Sequence, residues 1–122
     1  MLAVARRRVP TAAFVQAIVP SLPFATGSFD LILGAHLFSH LEPQVRSAFV
    51  AEARRVAREL MIVEIHGDEG LGTEGVVERR LTDGSRFRIR KTSFTPQGLI
   101  AEVGGGTIVF EGTWFVVAAI EF

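Results

Sequence analysis

The sequence predicts an α/β domain whose sheet is mainly parallel and closes on an antiparallel C-terminal strand pair. Three observations carry that prediction. Two short, nearly uninterrupted apolar runs, residues 29–33 and 60–65, flank one amphipathic helix over residues 43–58. Strand, helix, strand in that order implies a parallel pair joined by a crossover. Strands this apolar are of the kind covered on both faces. Last, residues 107–111 and 114–122 read as two strands turning at Gly112 and Thr113.

The elements follow in order. Residues 1–9 place Leu2, Ala5 and Val9 at helical spacing, and Pro10 stops the helix. Residues 13–19 are apolar and close on Pro20, as a buried strand would. Residues 25–28, Ala-Thr-Gly-Ser, are turn chemistry before the strand at 29–33, which Gly34 and Ala35 end. In the long helix Pro43 occupies the first turn, and Val45, Phe49, Ala53, Val56 and Leu60 form the core-facing line. Gln44, Arg46, Glu52, Arg54, Arg55 and Arg58 are assigned to its solvent side. The strand at 60–65 carries Glu64 and ends at His66-Gly67-Asp68, and residues 69–75, with Gly70, Gly72 and Gly75, read as a loop. Residues 76–91 read as a hairpin around Thr82-Asp83-Gly84-Ser85, since arginines alternate with Phe87 and Ile89. Thr95-Pro96 opens a short helix that Gly104 to Gly106 terminate.

Composition narrows the function classes. A chain of 122 residues with 48% hydrophobic and 21% charged residues is one folded domain, not a disordered or fibrous segment. Thirteen basic residues balance thirteen acidic ones, so no global field draws the chain to nucleic acid or anionic lipid. The absence of cysteine excludes disulfides, thiolate zinc sites and a cysteine nucleophile, and fits a cytoplasmic location. No apolar run is long enough to span a bilayer, and prolines break the stretch after Arg6, Arg7 and Arg8 that superficially resembles a secretory signal.

The segment FATGSFDLILGAHLFSH, residues 24–40, resembles the middle of class I S-adenosylmethionine-dependent methyltransferases. Leu22-Pro23-Phe24 followed by Ser28-Phe29-Asp30 is similar to that family's LPF-x-x-x-SFD segment, which leads into its fourth strand. Glu52 with Arg55 and Val56 resembles the next helix, and residues 60–64 the fifth strand. RLTDGSRFRIRKTSFTPQGL, residues 80–99, is similar to the hairpin and helix preceding the last two strands of many small-molecule members. The resemblance implies a partial Rossmann-like sheet, S-adenosylmethionine as cofactor and a small-molecule substrate. Ala17, Ile18, Leu22, Gly34, Ala35 and His36 are the implied cofactor-binding positions, with His66 facing the substrate.

Two family features are missing. The Gly-x-Gly-x-Gly turn and the acidic residue that holds the ribose do not occur, and the glycines at 104–106 stand after a helix, where they read as its stop. Ile18 occupies the position of an Asp that accepts the adenine amino group. An isoleucine cannot accept that bond. The chain is therefore expected to be an N-terminally incomplete methyltransferase domain, lacking two strands between residues 13–19 and 29–33. That gap implies a homo-oligomer or a partner chain, with contacts near Phe14, Val15, Phe29 and Leu31.

No catalytic residue is assigned, because methyl transfer needs chiefly alignment and, for some acceptors, a base. His36, His40 and His66 are the base candidates. His36 and His40 have helical spacing for zinc but no third ligand at a useful distance in sequence, so no metal is assigned. From Arg79 to Lys91, six basic residues face only Asp83; a solvated edge that blocks strand addition is favoured over a nucleic-acid patch. Two functions remain: a methyltransferase whose cofactor half comes from elsewhere, or a non-catalytic remnant serving as a structural or interaction module.

Overall fold

A computed structural model describes residues 1–67 and 74–122. Its elements are α1 (Leu2–Arg8), β1 (Phe29–Ala35), α2 (Pro43–Val56), β2 (Ala57–Ile65), β3 (Glu74–Arg80), β4 (Arg86–Thr92), α3 (Pro96–Val103), β5 (Thr107–Glu111) and β6 (Phe115–Glu121), with a single 3₁₀ turn at Phe38–His40. A four-stranded sheet has the order β1-β2-β6-β5, and β3 pairs only with β4. β1 and β2 are parallel, while β6 is antiparallel to both β2 and β5. Three strands therefore share one direction and β6 alone is reversed, as the sequence predicts.

Register fixes the two faces. Ile32, Leu60 and Ile120 form one row across the sheet, and Gly34, Ile62 and Ala118 the next. Phe49 and Ala53 of α2 and Leu99 and Val103 of α3 complete this core. A β-carbon on Gly34 would stand 2.8 Å from Ile62 Cδ1, so a side chain there would have to displace the tip of Ile62. The opposite face holds Leu33, Met61 and Ala119 in one row and Ala35, Val63 and Val117 in the next. Phe29, Leu31 and Leu33 on β1 and Phe115 on β6 are exposed there, Leu33 by 58%. A parallel strand with a bare apolar face is unusual, because such strands are normally covered on both sides. β1 is also an edge, paired only with β2.

Four sequence expectations are corrected. The long helix ends at Val56 rather than at residue 58, and Arg58 and Leu60 belong to β2. Residues 13–19 form no strand: most are exposed, and the run pairs with none of the described strands, whereas an extended backbone in a sheet requires such pairing. Only Val19 at its end packs against the core. Arg46 is not on the solvent side of α2; it is the largest fully buried side chain, and the buried line is Arg46, Phe49, Ala53 and Val56. Gly75 belongs to β3 rather than to a loop. The loop expectation for Gly70 and Gly72 lies outside the described residues.

Local chemistry accounts for the helix ends. Thr95 Oγ1 accepts from Gly98 N–H at 3.0 Å, with Pro96 beginning α3. Gly104 ends that helix with φ of 79°, a left-handed conformation that glycine adopts without a β-carbon clash. Arg55 and Glu52 on α2 fasten the loop before β1: Glu52 Oε1 accepts from Leu22 N–H at 2.9 Å, and Arg55 Nη1 donates to Phe24 O at 2.9 Å. The two side chains bond each other at 2.7 and 2.8 Å. Those bonds, Arg55 first and the Leu22 amide second, lower the Glu52 carboxyl pKa to about 2.

Candidate active site

The carboxyl ends of β1 and β2 lie side by side, and the reversed β6 brings its amino end to the same rim. Open α/β sheets place ligands outside such carboxyl ends. At β1 the chain passes through buried Gly34 and exposed Ala35 to His36, whose φ of 52° is the one left-handed value outside glycine among the described residues. Strained backbone of this kind concentrates at functional sites. His36 N–H donates to Val63 O at 2.9 Å, and its ring meets the Phe115 ring edge-on with centroids 5.5 Å apart.

Behind His36 the 3₁₀ turn is clamped through a single peptide group. Glu64 Oε1 accepts from Ser39 N–H at 3.2 Å, while Arg46 Nε donates to Phe38 O at 3.0 Å. The acid and the base thus hold the two ends of the Phe38–Ser39 peptide. Arg46 also donates to Thr92 Oγ1 at 2.9 Å, pairs with Glu102 at 3.1 Å and lies over the Phe94 ring. The network joins α2, the turn, β4 and α3. Glu64 Oε2 and Ser39 Oγ are buried without a hydrogen-bond partner.

At β2 the chain leaves through His66. Its N–H donates to Trp114 O at 3.0 Å, and its Nδ1 stands 2.9 Å from Gly112 O. Nε2 faces Glu111 Oε1 at 3.7 Å. His66, Glu111, Gly112 and Thr113 line a cleft of about 520 Å³.

The rim therefore gathers Gly34, Ala35, His36 and His66. Ala17 and Ile18 lie in the segment without secondary structure, and Ile18 is 85% exposed. Leu22 packs against the core from the anchored loop. His40 is turned to Arg90 O, 2.8 Å from Nδ1. Among the described residues no three His, Asp or Glu side chains gather as a metal site. Sequence reasoning missed Glu111, Gly112 and Phe115 as rim residues, because strand reversal at the Gly112 turn, not motif spacing, delivers them. Arg46 and Glu64 gave only one signal, charge inside apolar periodicity.

Residues 1–59 match a family model described as a methyltransferase domain. No curated protein matches the chain by sequence. Among solved structures, the DhpI–SAM–HEP complex superimposes with a TM-score of 0.75 at 21% identity, covering 97% of this chain and 61% of that one. The PH0226 protein from Pyrococcus horikoshii OT3 gives 0.70 at 16% identity, covering 98% and 64%. The glycopeptide N-methyltransferase MtfA complexed with S-adenosyl-L-homocysteine gives 0.59 at 13% identity, covering 97% and 67%. A second DhpI structure, with SAH, is covered over 48% of its length, so the chain spans about half to two thirds of these structures. In its first 59 residues the chain matches the methyltransferase-domain family model, and nearly its whole length is similar in fold to part of these solved structures.

Proposed function

We propose that the chain forms the acceptor side of an S-adenosylmethionine-dependent methyltransferase acting on a small molecule, its cofactor site completed by another segment or chain at the free edge of β1. The observation that carries this reading is the rim itself: left-handed His36 and the Phe115 ring beside the carboxyl end of β1. An aromatic wall suits a sulfonium, since ring faces attract cations. The ribose end is another matter. From Leu33 to Leu41 the chain holds no carboxylate, and Ile18 offers adenine an apolar surface without an acceptor.

When bound, S-adenosylmethionine supplies an electrophilic methyl group. This chain's residues supply position and enclosure: Gly34 leaves room for the Ile62 side chain, the clamped 3₁₀ turn fixes His36, and the cleft at His66 receives the acceptor. Complementation is supported by the exposed face of β1 and by its unpaired edge, which in water invites association with another strand. A second copy and a distinct partner chain both meet that need.

Titration calorimetry of the chain with S-adenosylmethionine tests the reading. Binding alone is expected to be weaker than micromolar, and Ile18→Asp alone is expected not to restore it. A micromolar dissociation constant, about −8 kcal/mol, overturns the claim that a complement is required.

A further inference from the structure

We propose that His66 is the base that takes a proton from the acceptor, and that the acceptor presents a hydroxyl group in the cleft beside Glu111; this rests on the methyl-transfer reading above. The geometry carries the assignment. A carbonyl oxygen can only accept a hydrogen bond, so the 2.9 Å contact from Nδ1 to Gly112 O places the neutral imidazole's proton on Nδ1. Nε2 is then left with its lone pair. It points toward Glu111 Oε1 at 3.7 Å and is on a side chain that keeps 17% of its surface exposed, in contact with the cleft.

A base oriented through one nitrogen, with a carboxylate 3.7 Å from the other, is placed to take a proton at that second nitrogen. A neutral hydroxyl donates to Nε2; as its oxygen bonds to the methyl carbon of a sulfonium donor, the carbon–sulfur pair stays with sulfur and the hydroxyl proton passes to Nε2. The imidazolium so formed lies beside the Glu111 carboxylate, and the partly exposed ring returns the proton to water. His40 has the same anchoring of Nδ1, by Arg90 O, but is not among the residues lining this cleft. It serves as an internal reference.

Three measurements test the proposal. Long-range proton–nitrogen correlation of the full chain at about pH 9, above the ordinary imidazole range, is expected to show His66 protonated at Nδ1 and bare at Nε2; the opposite tautomer overturns it. Diethyl pyrocarbonate is expected to acylate Nε2 of His66 as well as that of His40, and a His66 that stays unmodified overturns it. Finally, the protein isolated with its natural complement is assayed with radiolabelled S-adenosylmethionine against a pool of short aliphatic alcohols and the matching thiols. His66→Gln is expected to lower transfer to alcohols by roughly 100-fold or more and transfer to thiols far less, because part of the thiol is already ionised. Equal loss on both pools, or none, overturns the base assignment; absence of transfer by the unaltered protein to either pool overturns the methyltransferase reading and this proposal with it.

Discussion

Arg46 and Glu64 grip opposite ends of one peptide, and both are almost wholly shielded from water. A buried charge left without its partner is costly, about 3–5 kcal/mol for a broken pair. Arg46→Ala, which removes four contacts at once, is accordingly expected to lower unfolding free energy by about 3–5 kcal/mol in urea titration. A loss under about 1 kcal/mol is the outcome that surface ion pairs give, and it defeats the claim. Arg46 also shows where the sequence misleads. Helical periodicity was legible as far as Val56, with Leu60 falling in β2, but arginine is so seldom fully buried that its place in the 46-49-53-56 line went to Val45 instead. His36 and His66 were legible because they follow apolar strands. Glu111 was not, since nothing local to it announces that the turn at Gly112 brings it back to His66.

Between elements, the Glu52–Arg55 pair ties α2 to the loop before β1. Its titration has a definite sign. Folding lowers the Glu52 pKa to about 2, so the pair's contribution is complete at neutral pH and is lost as pH falls from the ordinary carboxylate range, about 4.3, toward 2. Glu52→Gln is expected to flatten the stability profile across that window while leaving its shape above about pH 5 unchanged; a parallel displacement of the whole curve sinks the assignment. At α3, Thr95→Ala removes the bond to Gly98 N–H and is expected to cost about 1 kcal/mol by thermal or urea unfolding. Elements with their own local signals, such as α2 behind Pro43 and α3 between Thr95 and Gly104, are the ones the sequence placed well. Residues 13–19 had a strand's composition but pair with none of the described strands; composition cannot report pairing.

Among the described residues the four-stranded sheet has one covered face and one that is half-buried at its centre and exposed along β1. At micromolar concentration the isolated chain is expected to self-associate in sedimentation, and Leu31→Lys, which puts charge on the bare face of the edge strand, is expected to weaken association or folding. A stable monomer indifferent to that change removes the argument for a complement. The meeting of the His36 and Phe115 rings carries a different consequence, for the order in which the molecule comes together. Those rings, on residues 36 and 115, lie far apart in the sequence and meet only after β1 has joined β2 and β2 has joined β6. Closing so long a loop costs entropy before any contact rewards it. The rim is thus expected to be among the last parts to form, and the ring-current shift that Phe115 imposes on His36 becomes a clock for folding, arriving after the helices have their full dichroism.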